Sequence, residues 1–160
     1  MRVVVFDVGE TLVDEATTYA RWEADGVTSF VFADQDLHPD ALPCFAALRD
    51  RQLRLGAAGN MYAAHEDFLR THVDFVGSSE RWGVKKPDPG FFARVVEAAG
   101  APAEAVLYVG DRVDNDVVPS LAAGLAAVRI RRGAHAHIDS PEGIVTIGSL
   151  DELPEAVARV

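Results

Sequence analysis

The stretch Val3-Val4-Val5-Phe6-Asp7-Val8-Gly9-Glu10-Thr11-Leu12 joins an unbroken apolar run to an acidic turn that contains glycine. A continuous run of β-branched and aromatic residues, such as 3–6, is typical of a strand buried on both faces of a parallel sheet. Open parallel sheets bind their ligands outside the carboxyl ends of the strands. The stretch therefore predicts a parallel α/β fold whose first strand ends at a functional acid, Asp7.

The rest of the chain continues this alternation of strands and helices. Further strands are predicted at 53–58, 75–77, 105–109, 126–130 and 144–147, and helices at 39–51, 63–73, 88–99, 114–123 and 150–160. Alternation at this spacing predicts βαβ units, and hence an α/β fold with a three-layer, Rossmann-like parallel sheet of five or six strands flanked by helices. Neither a repeat nor a linker interrupts the pattern, so we expect a single domain over residues 1–160.

The composition narrows the functional classes. The chain has 160 residues, 49% of them hydrophobic, and a formal net charge of −10 at pH 7. Such an acidic surface repels phosphate backbones and anionic lipids, so we expect neither nucleic-acid nor membrane binding. No apolar run approaches the roughly 20 residues of a membrane span, and the first residues lack the features of a secretory signal. With Cys44 as the single cysteine, expected in the core, the sequence predicts a cytoplasmic protein.

Charged and polar residues gather where the predicted strands end. Asp7 follows the first strand, Asn60 the second and Asp111 the fourth, with Asp-Asn-Asp at 114–116 and Lys86 before the fourth strand. Each of these residues alone is most often a helix cap or a solvated charge. Together, the carboxylates can hold Mg²⁺ and attack phosphorus, while a lysine and the N–H groups of tight turns bind phosphate. The combination predicts phosphoryl transfer at this edge of the sheet.

Four segments, in this order, resemble the motifs of the haloacid dehalogenase-like (HAD) hydrolase superfamily, in its phosphatase-like branch. They are Phe6-Asp7-Val8-Gly9-Glu10-Thr11-Leu12, Gly59-Asn60, Lys86-Pro87-Asp88-Pro89, and the segment from Gly110-Asp111 to Asp116. The resemblance covers the chain except residues 13–38. It implies a Mg²⁺-dependent hydrolase, specifically a phosphatase that acts on a phosphoric monoester through an aspartyl phosphate on Asp7.

The resemblance also implies a set of metal ligands. These are Asp7, which is also the nucleophile, the backbone carbonyl of Gly9, Asp111, and Asp116. Asp116 is expected either to bind the metal or to stand behind its ligands, and Asp114 and Asn115 compete for that role. In the phosphatases of this superfamily, the position of Gly9 carries the acid that protonates the leaving group and then activates water. Glycine cannot do this, and Glu10 is the catalytic substitute that the sequence offers.

A second set of residues is implied for the phosphate. Lys86 is expected to orient Asp7 and to neutralise the phosphate, Thr11 to hold the first-motif loop, and Gly59 and Asn60 to contact the phosphate. Gly59 stands where the superfamily has a hydroxyl side chain. The loss of that phosphate hydrogen bond costs about 0.5–1.5 kcal/mol.

Residues 13–38 stand where related proteins carry a helical cap domain that selects the substrate, and they predict only a short insertion. Tyr19, Trp22, Phe30 and Phe32 lie in it. Three interpretations are open: a helix that packs Trp22 on the core, a short lid, or exposed aromatic side chains at a contact between two copies of the chain. An open site suits a phosphorylated small molecule or a bulky phosphate ester, unless a homodimer covers it.

Two other functions fit part of the sequence. Gly9, Gly59 and the short insertion fit a catalytically impaired binding protein with the same fold. A dehalogenase-type hydrolase uses the same nucleophile and needs neither Mg²⁺ nor an acid at residue 9. The pair Asp111 and Asp116 argues against it, because a bound metal best explains such a pair.

Two pairs of charged residues lie on and after the fifth strand. Arg129 and Arg131 alternate, so we expect them on a solvated face, with an anion-binding loop as the alternative. His135 and His137 have no further histidine or cysteine close by in the sequence. A zinc site is therefore not expected there.

Overall fold

The computed structural model describes residues 1–26 and 31–160. Within these ranges the chain forms a six-stranded sheet. The strands are β1 (Val3–Phe6), β2 (Arg54–Gly59), β3 (Phe75–Ser78), β4 (Val106–Gly110), β5 (Ala126–Ile130) and β6 (Val145–Ile147). Neighbouring strands pair in parallel, in the order β3-β2-β1-β4-β5-β6. The predicted parallel α/β fold is confirmed, and each predicted strand is present with small shifts at its ends.

The order of the strands reverses beside β1. The chain builds outward from β1 through β2 and β3, and then continues on the other side of β1 with β4, β5 and β6. β1 and β4 pair with Val3 opposite Val106 and Phe6 opposite Val109. Their carboxyl ends therefore meet at the topological switch point, where open α/β sheets bind ligands.

Helices cover both faces of the sheet. They are α1 (Glu15–Asp25), α2 (Ala41–Asp50), α3 (Glu66–Arg70), α4 (Ser79–Trp82), α5 (Pro89–Ala99), α6 (Val118–Ala122) and α7 (Leu153–Ala156). The helices predicted at 39–51 and 88–99 are confirmed as α2 and α5. In the described part of the chain, no helix combines the length and the apolar composition that crossing a bilayer requires.

Three predicted helices are less regular than expected. The one at 63–73 is a 3₁₀ turn followed by α3, which ends at Arg70; Asp74 then accepts the Leu55 N–H at 2.8 Å as the chain enters β3. The one at 114–123 begins with a π-helical turn over Val113–Val117. The one at 150–160 is divided into short turns around α7. The wide turn after β4 matters for function, because it turns Asp116 back toward the ends of the strands.

Alternate side chains of β1 face two separate cores. Val4 and Phe6 pack with residues of α2 and α7, while Val3 and Val5 pack with residues of α5. Phe6 meets Phe45 edge to face, with ring centroids 5.2 Å apart. Full burial of one such side chain contributes about 1.5–3 kcal/mol. Burial on both faces therefore fixes the strand that presents Asp7.

The segment 13–38 returns to the point where it leaves the sheet. Val13 pairs with Leu37 in an antiparallel bridge, and the His38 N–H donates to the Leu12 carbonyl at 2.8 Å. Between these points the described residues form α1 and a 3₁₀ turn, Asp34–Asp36.

The aromatic side chains of this segment divide between core and surface. Trp22 is buried and stacks on Phe32, with ring centroids 5.7 Å apart. The interpretation that Trp22 packs on the core is therefore confirmed. Tyr19 is exposed, and Phe30 lies outside the described residues.

Candidate active site

Asp7 lies directly after β1, where pairing with β4 holds its backbone. Its N–H donates to the Val109 carbonyl at 2.8 Å. The Oδ1 atom of its buried carboxylate accepts a hydrogen bond from Lys86 Nζ at 2.5 Å, and Oδ2 accepts from Thr11 Oγ1 at 3.4 Å. The structure thus brings Lys86 from a distant segment to Asp7 and Thr11 of the first motif, and the sequence singled out all three residues.

Lys86 enters this cluster from the segment between α4 and α5. Its Nζ lies 2.5 Å from Asp7 Oδ1 and 2.5 Å from Asp116 Oδ1, and its side chain is 2% exposed. Burial lowers the pKa of Lys86, but the charges of Asp7 and Asp116 outweigh it and raise the pKa well above its ordinary value. The ring of Tyr108, which sequence analysis missed, lies 5.7 Å from Nζ. Lys86 is therefore a fixed positive charge.

Asp111 and Asp116 come from the turn after β4. Oδ2 of Asp116 accepts the Arg112 N–H at 2.9 Å, while Oδ1 accepts from Lys86. Burial raises the pKa of Asp116 to about 6, and the charge of Asp7 adds to the rise. Burial also raises the pKa of Asp111 to about 8, with further increases from Asp7 and Asp116. Both carboxyl groups therefore lie in an environment with an excess of negative charge.

The three acids have the arrangement of a cation site. Asp7, Asp111 and Asp116 offer carboxylate oxygens that lie within 4.8 Å of one another. When all are ionised, the single ammonium group of Lys86 leaves two negative charges unbalanced. A divalent cation that prefers oxygen ligands, such as Mg²⁺, supplies the missing charge. Asp7 and Asp111 line the cavity and Asp116 lies behind them, so Asp7 and Asp111 are better placed to hold the ion directly.

Gly59 and Asn60 position the cluster from β2. Oδ1 of Asn60 accepts the Lys86 N–H at 2.8 Å, and Nδ2 donates to the Lys86 carbonyl at 3.1 Å. A Cβ on residue 59 would lie 3.1 Å from Asp7 Oδ1. Asn60 therefore fixes the backbone of Lys86, a role that sequence analysis did not foresee, and Gly59 leaves room for the Asp7 carboxylate. Their contact with phosphate stays a prediction.

The space beside Gly9 is filled by Glu15. A Cβ on residue 9 would lie at only 2.4 Å from Glu15 Oε1. Burial raises the pKa of the Glu15 carboxyl, and Tyr19 Oη donates to its Oε1 at 3.2 Å. Glu10, the acid that the sequence offered as a substitute, has a φ of 57° and accepts the Glu15 N–H through Oε1 at 3.1 Å. Sequence analysis missed Glu15, because no local signal shows that α1 turns its first side chain back to Gly9.

A cavity of about 280 Å³ opens in front of these groups. Six predicted residues line it: Asp7, Gly9, Glu10, Asn60, Lys86 and Asp111. The other three, Thr11, Gly59 and Asp116, are buried and are not part of its wall. Asn115, which the sequence offered as an alternative to Asp116, also lines it, as do Glu15, Arg112 and His135, which the sequence did not assign to the site. The cavity therefore combines the predicted nucleophile with an additional acid and a cation.

The expectation that Arg129 lies on a solvated face is wrong, because Arg129 is fully buried. Its guanidinium donates to the carbonyls of Asp111 at 3.2 Å, His135 at 2.9 Å and Ile138 at 2.5 Å. The sequence could not show that the loop after β5 folds back over this side chain. Arg131 is exposed, as expected. Arg129 thus connects the turn of Asp111 to the loop that carries His135.

Comparison with known sequences relates the chain to a family of hydrolases. A family model described as haloacid dehalogenase-like hydrolase matches residues 22–124. A glyceraldehyde 3-phosphate phosphatase of Methanopyrus kandleri is 36% identical over 110 residues, which cover 65% of this chain and 47% of that protein. The pyrimidine 5′-nucleotidase YjjG of Escherichia coli is 33% identical over 131 residues, covering 76% and 56% respectively. The chain spans about half the length of the curated relatives it matches.

Comparison with solved structures shows the same fold. The crystal structure of a HAD phosphatase from Thermococcus onnurineus matches with a TM-score of 0.75 over 100% of both chains, at 19% sequence identity. The family model itself covers more than half of the chain and includes Asn60, Lys86 and Asp111. The chain therefore belongs to the haloacid dehalogenase-like hydrolases.

Proposed function

We propose that the protein is a Mg²⁺-dependent phosphatase that hydrolyses a phosphoric monoester through an aspartyl phosphate on Asp7. The observation that carries this proposal is the 2.5 Å contact between Asp7 and the buried Lys86, beside Asp111 and on the wall of one cavity. A carboxylate oriented by a fixed cation suits attack on phosphorus. Relatives that are named as phosphatases support the same reaction.

The chain's own residues supply most of the machinery. An oxygen of Asp7 attacks phosphorus, the bond to the leaving oxygen breaks, and water later releases phosphate from Asp7. Lys86 orients Asp7 and attracts the phosphate oxygens with its charge. Asp116 and Asn60 hold Lys86 in place through its ammonium group and its backbone respectively. Thr11 holds the first-motif loop through its contact with Asp7.

Asp7, Asp111 and the backbone carbonyl of Gly9 are the proposed ligands of Mg²⁺, with Asp116 adjoining them. When bound, the ion supplies the positive charge that lets a phosphate approach a cluster of carboxylates. Gly59 and Asn60 are proposed to contact the phosphate through their backbone N–H groups.

The proposed substrate is a phosphorylated small molecule or a bulkier phosphate ester. The names of the relatives support the first, and the openness of the cavity supports the second.

In this proposal residues 13–38 replace the cap domain of a single HAD-like core. Exposed Tyr19 and Tyr62 support a homodimer that covers the open site. Sedimentation at the assay concentration tests for this homodimer, and a purely monomeric species would contradict the proposed homodimer.

The deciding experiment is hydrolysis of p-nitrophenyl phosphate with and without Mg²⁺, by wild type, Asp7→Asn and Asp50→Asn. Asp50 is an exposed aspartate at the end of α2 and is a matched control. We expect hydrolysis that requires both Mg²⁺ and Asp7 and that Asp50→Asn retains. Unchanged Mg²⁺-dependent hydrolysis by Asp7→Asn would contradict the proposal.

The two alternatives predict different results, each in its own assay. A catalytically impaired binding protein binds Mg²⁺ and phosphate in calorimetry but releases no p-nitrophenol. A dehalogenase-type hydrolase releases halide from a 2-haloacid without Mg²⁺. The carboxylate oxygens of Asp7, Asp111 and Asp116, which lie within 4.8 Å of one another, favour a cation site over the second alternative.

A further inference from the structure

We propose that Glu15 is the general acid and base of this site and replaces the side chain that Gly9 lacks. The inference rests on the proposed phosphatase function and adds a group that this function needs. Departure of an aliphatic alcohol requires a proton, and attack by water on the aspartyl phosphate requires a base. Gly9 can provide neither.

The position of Glu15 is the main argument. Its Oε1 lies 2.4 Å and its Oε2 3.3 Å from the point that a Cβ on residue 9 would occupy. The Glu15 carboxyl group therefore sits where a side chain of residue 9 would begin. It lines the same cavity as Asp7 and Lys86. A carboxyl group from α1, instead of one from the loop after β1, thus faces the cavity that Asp7 lines.

Several contacts hold Glu15 in this position. It is the first residue of α1, whose N-cap Asp14 accepts the Thr17 N–H at 3.1 Å. Its N–H donates to Glu10 Oε1 at 3.1 Å, and its Oε1 accepts from Tyr19 Oη at 3.2 Å. The Tyr19 hydrogen bond occupies one oxygen and leaves Oε2 for proton exchange.

Glu10 is less suited to the same role. One of its oxygens accepts the Glu15 N–H, and the other lies 2.5 Å from the point that a Cβ on Gly133 would occupy. Its carboxylate therefore lies between the start of α1 and the loop after β5. This arrangement makes Glu10 a support for Glu15.

The proton transfers balance over the two steps. In the first, Asp7 forms a bond to phosphorus, the bond to the leaving oxygen breaks, and protonated Glu15 gives its proton to that oxygen. In the second, ionised Glu15 takes a proton from water while the water oxygen bonds to phosphorus. The bond from phosphorus to Asp7 then breaks. The sum is ester and water giving alcohol and phosphate, with Asp7 and Glu15 restored.

The test compares Glu15→Gln with wild type on an alkyl phosphate and on p-nitrophenyl phosphate, with Mg²⁺ present. We expect the kcat of Glu15→Gln for the alkyl phosphate to fall about 100- to 10,000-fold, which is the usual contribution of general acid–base catalysis. With p-nitrophenyl phosphate the first step needs no acid. Glu15→Gln should therefore release a burst of about one p-nitrophenol per protein and accumulate phosphate on Asp7, detected by mass spectrometry after acid quench.

Further variants separate catalysis from folding. Glu23→Gln, an exposed glutamate of the same helix, should match wild type. Gly9→Asp combined with Glu15→Ala, which vacates the space, should recover alkyl phosphate hydrolysis at least 10-fold over Glu15→Ala alone.

The outcomes distinguish this inference from the proposed function. If wild type hydrolyses the alkyl phosphate and Glu15→Gln stays within about threefold of it, the inference is overturned and the phosphatase proposal stands. A large loss in Glu10→Gln with none in Glu15→Gln also overturns it. If wild type neither hydrolyses the aryl ester nor phosphorylates Asp7, the phosphatase proposal fails, and the inference fails with it.

Discussion

Replacing Lys86 with methionine removes the positive charge that faces Asp7 and Asp116 while keeping a long, unbranched side chain. Lys86 is buried and contacts two carboxylates at 2.5 Å, those of Asp7 and Asp116. Without the ammonium group these acids either remain ionised next to Asp111 or take up protons. Both responses favour the unfolded state, in which water solvates each carboxylate.

The contacts set the size of the effect. At 2.5 Å and an effective dielectric constant of about 20, each pair attracts with about 6–7 kcal/mol, most of which offsets the cost of burying the charges. Removing one partner of a buried ion pair destabilises proteins by about 3–5 kcal/mol. At roughly 2–4 °C per kcal/mol for a chain of this size, the melting temperature of Lys86→Met should fall by about 6–20 °C.

The assay is urea unfolding followed by fluorescence, with a chelator present so that no divalent cation offsets the lost charge. The neighbouring Lys85 is exposed and makes a close control. Lys85→Met should change the free energy of unfolding by less than about 0.5 kcal/mol. If Lys86→Met and Lys85→Met unfold at the same urea concentration with equal slopes, Lys86 is not paired with these carboxylates and the charge argument is refuted.

Three further predictions concern the surroundings of the site. Arg129→Met should lower the free energy of unfolding by at least about 2 kcal/mol, because three backbone carbonyls lose their hydrogen-bond donor. Arg131→Met is the control and should not lower it, and equal unfolding midpoints for the two variants would refute this prediction. Asn60→Ala removes both hydrogen bonds to the Lys86 backbone and should cost about 1–3 kcal/mol of stability and reduce kcat; wild-type values for both would show that Asn60 does not position Lys86. Burial raises the pKa of the Cys44 thiol to about 12, so a thiol reagent should not modify the folded protein between pH 7 and 9. The unfolded protein should react. Rapid reaction of the folded protein would place Cys44 outside the core.

The fold and the centre of the site could be predicted because their signals are local. The apolar run before Asp7 indicates a buried strand, and pairing of β1 with β4 brings the acids at their ends together without further information. Lys86 was identifiable because it lies in a distinctive segment just before α5. Strand ends were therefore sufficient for Asp7 and Asp111, and the resemblance of residues 86–89 to a family motif added Lys86.

The parts that the sequence did not predict depend on contacts between distant segments. Glu15 meets Gly9 only because α1 begins beside the loop after β1, and a helical pattern does not reveal where its first side chain points. Arg129 alternates with Arg131 as on a half-solvated strand, but the loop after β5 covers one of the two. Asn60 was predicted to contact the phosphate. Its partner in the structure is the Lys86 backbone, which is 26 residues away and which the sequence does not place beside it.

The buried guanidinium of Arg129 has a consequence for how this site can diverge. It connects the turn that carries Asp111 to the loop that carries His135 on the cavity wall. A lysine could not replace it, because one ammonium group lacks the planar fork that reaches several carbonyls at once. A displacement of the His135 and Ile138 carbonyls would remove two acceptors of the guanidinium that also binds the Asp111 carbonyl. On this side of the cavity, single side chains such as His135 can therefore change the shape of the wall while the loop length and the contacts of Arg129 stay constant.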